Sequence, residues 1–223
     1  MCFIARNAPI IYIFNMIFQH RLSADLIEPD MPELFRYAGF SKQKLSEISD
    51  TQMETLGKEA ATEVSAAMNC RAVYTKFPVE ITADEEIIFA DRKIKSHNLA
   101  VNLKNCHSVV LFAATLGPAV DKLIQKTSRI NPAKAVMLQA AGAMYIEKYC
   151  DLFQDFLREE ESKEGNEFKP RFSPGFGDVP LDVQKIFFDI LQCQKNLALT
   201  LNDSLIMSPE KSVTAFIGIY KKS

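Results

Sequence analysis

Residues 108–117, SVVLFAATLG, form an apolar run closed by Gly117 and Pro118. A strand wet on one face alternates apolar with polar residues, whereas one covered on both faces reads as continuously apolar. The run therefore predicts a central strand buried on both sides. The rest of the chain must supply cover for two faces.

Long amphipathic helices are the obvious cover. Asn131–Pro132 opens the longest, predicted from 132 to about 162, where Leu138, Ala141, Tyr145, Tyr149, Leu152 and Phe156 recur at steps of three and four. Ile146, Cys150, Phe153 and Leu157 widen that stripe, so the helix packs on a sheet or another helix. The acidic end, REEESKEGNE, reads as a solvated surface. PAVDKLIQKTS is a further helix, Asp30 caps a short one over MPELFRYAGF, and Asp50 caps a long one running to Met68. RAVYTKFPVEI, EEIIFA and RKIK read as a small strand meander, and Ser96 begins a helical turn over HNLAVNL. Val183, Ile186, Phe187, Ile190 and Leu191 share one face of a later helix, and DSLIM and SVTAFIGIY around SPEK predict a β-hairpin closing the sheet. Strands in two clusters, not strictly alternating with helices, favour an α+β class over a doubly wound fold.

Composition narrows the function classes. A chain of 223 residues with 48% apolar content is long enough for a sizeable core. Its net charge of -2 provides no basic excess for a nucleic-acid backbone. Five widely spaced cysteines without a Cys-x-x-Cys pair fit a reducing cytosol better than a disulfide framework. His97 and Cys106–His107 are candidate metal ligands, but no third or fourth ligand accompanies them, so no metal site is expected. The apolar run at 8–18 is too short to span a bilayer as a helix and lacks a cleavage pattern. It is open to reading as a buried strand, a weak anchor, or sequence upstream of a start at Met16 or Met31. Residues 1–28 are expected to be a peripheral extension, 29–223 the domain, with no stable membrane association. Walker, dinucleotide-binding and nucleophile-elbow motifs are absent, and three scattered histidines assemble no triad.

One stretch is too specific for an ordinary connector. RFSPGFGDVP, residues 171–180, packs two prolines, two glycines, an arginine and an aspartate between two helices, with Asp178 placed to cap the next helix or its turn. Arg171, Pro174, Gly175 and Phe176, followed by Asn202, Asp203, Ser204, Met207, Pro209, Ser212 and Val213, resemble two ordered motifs. They are the Arg-x-x-Pro-Gly-Tyr and Thr-Glu-Ser-x-x-Met-x-Pro-x-x-Ser-Val segments of the activation (reactivation) domain of vitamin B12-dependent methionine synthase. VVLFAATLGPAVDKLI and the helix around Glu147 are similar to free-standing members of that family. The resemblance spans about residues 31–220.

It implies a helix-wrapped, mainly antiparallel twisted sheet with S-adenosylmethionine in a shallow groove. It also implies a role in reductive remethylation of cob(II)alamin on a separate cobalamin-carrying methionine synthase or other corrinoid protein. A flavodoxin-type donor would supply the electron, with no complete activity in this chain alone. In that likeness Arg171 grips the ligand carboxylate with its planar fork. Ser173, Pro174 and Gly175 bring backbone close to the adenosine. Phe176 lies against adenine or ribose, and Glu147 meets the ammonium or steadies Arg171. Three features depart from the family: Phe176 stands where the motif has tyrosine, the fused domains' tyrosine-bearing cover has no counterpart before Ser223, and their N-terminal acidic contact has no clear counterpart. The same resemblance therefore admits a docking module for a corrinoid protein that has lost S-adenosylmethionine binding.

Overall fold

The computed structural model describes residues 16–40 and 51–222. The strands are β1 (Phe18–Leu22), β2 (Cys70–Ile81), β3 (Glu86–Phe89), β4 (Arg92–Lys95), β5 (Ser108–Thr115), β6 (Asn166–Phe168), β7 (Thr200–Leu201), β8 (Met207–Ser208) and β9 (Ser212–Lys221). The helices are α1 (Met31–Tyr37), α2 (Thr51–Ala67), α3 (His97–Asn102), α4 (Pro118–Ser128), α5 (Pro132–Ser162), α6 (Gln184–Ile190) and α7 (Cys193–Leu197). Short 3-10 turns occupy Ala24–Leu26 and Leu181–Val183. Seven strands form one sheet in the order β4-β3-β2-β5-β9-β6, with β1 added beside β2. Every pairing described is antiparallel. The class is α+β, as expected.

The apolar run is the centre of that sheet. β5 pairs along its whole length with β2 on one side and β9 on the other. Its alternate residues enter two separate cores. Val110, Phe112 and Ala114 meet α5 through Leu138, Tyr145, Tyr149 and Phe153, with Val120 and Ile124 of α4. Val109, Leu111 and Ala113 face Leu99 and Leu103, Phe187 and Leu191 at α6, and Phe216 of β9. Phe153 sits among rings, with centroids 5.1 Å from Phe112 and 5.3 Å from both Tyr74 and His20. Offset and edge-on aromatic contacts of this kind add to the area they bury.

Local signals place the helix starts. Asp30, Ser96 and Asn131 each accept a hydrogen bond from the backbone N–H three residues on, at 3.1 Å, satisfying a first-turn donor of α1, α3 and α5. The expected Asp50 cap of α2 lies outside the described residues.

Three expectations are corrected. The boundary at residue 28 cuts through ordered structure, because β1 pairs with Cys70–Tyr74 of β2. Its His20 Nδ1 lies 3.1 Å from the Tyr149 hydroxyl, which also donates to the His20 carbonyl, so β1 is tied to α5 as well as to the sheet. The C-terminal hairpin is smaller than expected: β7 pairs with β8 as a separate two-stranded ribbon, while β9 leaves it to enter the main sheet between β5 and β6. An internal strand satisfies both of its backbone edges, which suits the apolar SVTAFIGIY better than a hairpin arm. The acidic end of α5 is not uniformly solvated either. Glu161 takes Lys76 at 2.5 Å and Asn166 at 2.7 Å. Burial there works to raise its pKa, but these two bonds hold it below the usual glutamate value.

A fully buried phenylalanine truncated to alanine costs about 3–5 kcal/mol. Phe153→Ala is expected to fall in that range by urea denaturation, with an unchanged slope against denaturant.

Candidate functional site

The long helix and the unusual loop meet at one groove. After β6 the chain runs irregularly along the outer edge of β9: Lys169 N–H donates to the Gly218 carbonyl, and Phe172 and Phe216 exchange both backbone bonds at 3.0 and 2.8 Å. Asn102 at the end of α3 donates to the Pro170 carbonyl at 3.2 Å. Beyond Phe172 the loop turns away, and Val213, nearer the start of β9, is left to line a cleft of about 510 Å³. The other walls are Glu147, Asp151 and Gln154 from α5, and Pro170, Arg171, Phe172, Ser173 and Phe176 from the loop. That volume is within the range of about 300–1,000 Å³ typical of small-molecule sites.

Arg171 holds the two walls together. One guanidinium nitrogen lies 2.6 Å from Asp151 and 3.4 Å from the Gln154 side-chain oxygen, and the other lies 3.0 Å from Glu147. The three α5 partners are four and three residues apart, so they project from one helix face. Burial alone would depress the Arg171 pKa, but the bond to Asp151 and the carboxylates around it raise it above the usual arginine value. The Arg171 side chain is 19% exposed, against 46% for Glu147 and 60% for Asp151. The charge that solvent meets in the groove is therefore mostly carboxylate.

The rim is fixed from the opposite direction. Asp178 accepts from the Ser96 hydroxyl and from the backbone N–H groups of His97 at 2.7 Å and Asn98 at 3.1 Å. It caps a helix some eighty residues back in the chain. The expectation that it caps the following helix is thus corrected: the described start of α6 has no side-chain cap, and the free N–H groups of α3 are the ones within reach. Between Asp178 and Phe176, Gly177 adopts φ +56°, and a Cβ there would sit 2.3 Å from Asn98 Nδ2. Gly175 is also left-handed, with φ +88°, and its N–H donates to the Val179 carbonyl at 2.9 Å. Both glycines serve the turn itself.

Of the residues singled out in the sequence, Glu147, Arg171, Ser173 and Phe176 are brought together, with Phe176 65% exposed at the lip. Pro174 is buried and Gly175 exposed, and neither lines the groove. Asp151, Gln154, Pro170 and Phe172 were missed, and Val213 entered only as part of the second motif. The helical steps of four and seven from Glu147 signal the first two. His97 pairs with Glu85 and His107 with Ser108 and Asn166. Among the described residues no group of three or more His, Cys, Asp or Glu is arranged to hold a metal ion, and no helix is long and apolar enough to cross a membrane.

No family model and no curated protein sequence matches the chain. Among solved structures, a crystal structure of the MetH reactivation domain bound to AdoHcy matches with a TM-score of 0.72. The fold is that of a reactivation domain. The match covers 93% of this chain and 79% of that one at 17% identity, so the likeness is one of fold.

Hydrogen bonds to Ser96 and the α3 backbone depress the Asp178 pKa. A depressed carboxylate contributes stability above its unfolded value of 3.8, and that stability is lost as pH falls through the lower folded value. Asp178→Asn is expected to melt below the wild type at pH 7, with the gap closing under pH 3.8, as read by calorimetric scans across the acid limb.

Proposed function

We propose that this chain is an S-adenosylmethionine-binding protein of the reactivation type, acting in the cytoplasm on a cobalamin-carrying methionine synthase supplied as a separate protein. The observation that carries this reading is the Arg171–Glu147–Asp151 cluster in a groove of ligand size, on a fold shared with a domain that has been crystallised with AdoHcy. The donor set fits the ligand. Its ammonium matches Glu147 and Asp151, its carboxylate matches Arg171, which would turn part of its bonding from those two acids to the ligand, and the exposed ring of Phe176 offers a face for the adenosine. Ser173 and Val213 complete the wall.

The residues of this chain bind and orient. The ligand supplies a methyl group on a cationic sulfur, and the partner's cobalamin would receive it once a flavodoxin-type donor has provided an electron.

Two observations favour a second reading, a corrinoid-docking module without ligand. The Arg171 fork is already engaged by α5, and Phe176 has no hydroxyl to offer. Calorimetry separates the two. Saturable binding of S-adenosylmethionine is expected, weakened at least tenfold in Arg171→Ala, whose fold is checked by circular dichroism. A tenfold loss corresponds to about 1.4 kcal/mol. No heat and no thermal shift at millimolar ligand, with cobalamin-protein capture intact, would replace the first reading by the second.

A further inference from the structure

We infer that Arg21 and Arg71 form a second binding site, for a doubly charged oxyanion of the phosphate type, at the β1 side of the sheet. The site is separate from the groove and does not depend on what the groove holds. β1 and β2 pair with Arg21 directly opposite Arg71. Residues so placed share one face of a sheet, with Cβ atoms about 4.5–5.5 Å apart, and like charges there weaken the pairing. The two guanidiniums therefore oppose the attachment of β1 until an anion comes between them.

The protein supplies no such anion. Arg36, Arg92, Arg158 and Arg171 are each ion-paired to a carboxylate. Among the described residues no carboxylate is ion-paired to Arg21 or Arg71. Asp25, the acid nearest to Arg21 along the chain, is bonded by the Ser23 hydroxyl.

The strands beyond do not help either. Across β2, Arg71 faces Thr115 of β5, which in turn faces Ser212 of β9. The Thr115 hydroxyl oxygen already accepts from the Ser212 hydroxyl at 2.8 Å and from the Gly117 N–H at 3.0 Å, so both of its lone pairs are in use. Arg71 donates from Nη2 to the Leu197 carbonyl at the end of α7, at 3.1 Å. Its Nε–H is buried with no partner, and a buried donor left unmade is costly.

These features suit a tetrahedral dianion. Guanidinium N–H groups match phosphate oxygens in parallel pairs, and two cations balance two negative charges where chloride would balance one. Arg71 is partly buried and tethered by Leu197, so it is the fixed half of the site. Arg21 is exposed and able to swing onto an ion arriving from solvent. A bound phosphoryl group turns the repulsive pair into a staple between β1 and β2, and the attachment of β1 then follows the supply of the anion.

The test is calorimetric scanning of the full chain at pH 8 with inorganic phosphate or glycerol 3-phosphate, against chloride at matched ionic strength. Each phosphoryl probe is expected to raise the melting temperature saturably, by at least about 2 °C beyond the effect of chloride. Arg21→Gln is expected to lose at least tenfold in apparent affinity and, in chloride, to melt no lower than the wild type because the repulsion is gone. Arg71→Lys, which keeps the charge but not the fork, is the second variant and is expected to lose affinity as well. Arg129→Gln removes another arginine without a carboxylate partner among the described residues and is expected to leave the response unchanged. Phosphate is also expected to slow amide exchange in β1 of the wild type. Tighter binding of glycerol 3-phosphate would support the site and assign it to a phosphomonoester, and tighter binding of inorganic phosphate would assign it to the free ion. A response no larger than that to chloride, an equal loss in Arg129→Gln and Arg21→Gln, or exchange protection confined to other elements would overturn the site. None of these outcomes bears on the reading of the groove.

Discussion

β5 has no face that water reaches, and the remainder of the molecule is organised around that constraint. A strand covered on both sides needs two apolar layers. Here α5 with α4 provides one, and the shorter helices near the C-terminus with α3 provide the other. Those layers come from distant parts of the chain, so long connections must cross from one side of the sheet to the other. The segment after β6 is such a crossing. It is pinned to β9 as far as Phe172 and then leaves. The groove opens where that irregular pairing stops and α5 overhangs the edge.

Arg171 is the link between the crossing and the helix. A half-buried guanidinium without partners would be costly, and two carboxylates crowded on one helix face would repel. Each problem resolves the other when the loop closes on α5. The compensation is incomplete by one charge, and that remainder gives the groove its sign.

Much of this was legible from residue patterns. The continuous run at 108–117, the wide stripe of α5, and the caps at Asp30, Ser96 and Asn131 all act through local rules of period and end chemistry, and they hold in three dimensions. What escaped is what depends on distant parts of the chain. SVTAFIGIY has the alternation of a hairpin arm, and only the β-sheet's order shows that it is an inner strand. Phe18–Leu22 is too short and polar to read as a strand until the free edge of β2 is known. Asp178 obeyed the rule that aspartate caps helices, but on a helix that sequence distance hides. At the site, Glu147 and Arg171 were found through resemblance, whereas Asp151 and Gln154 follow from helical spacing once Glu147 is accepted.

The two-sided anchoring of the rim bears on how loading could be noticed by another protein. Phe172 is bonded twice to β9, and Asp178 closes the first turn of α3. Swinging the rim would therefore mean opening the sheet edge or fraying a helix, events that belong to partial unfolding and not to a hinge. A ligand taken up as proposed would then leave the protein relief of the rim nearly unchanged. A visitor to this face would have to recognise occupancy from the guest's own protruding atoms, as a reader feels the print and not the page.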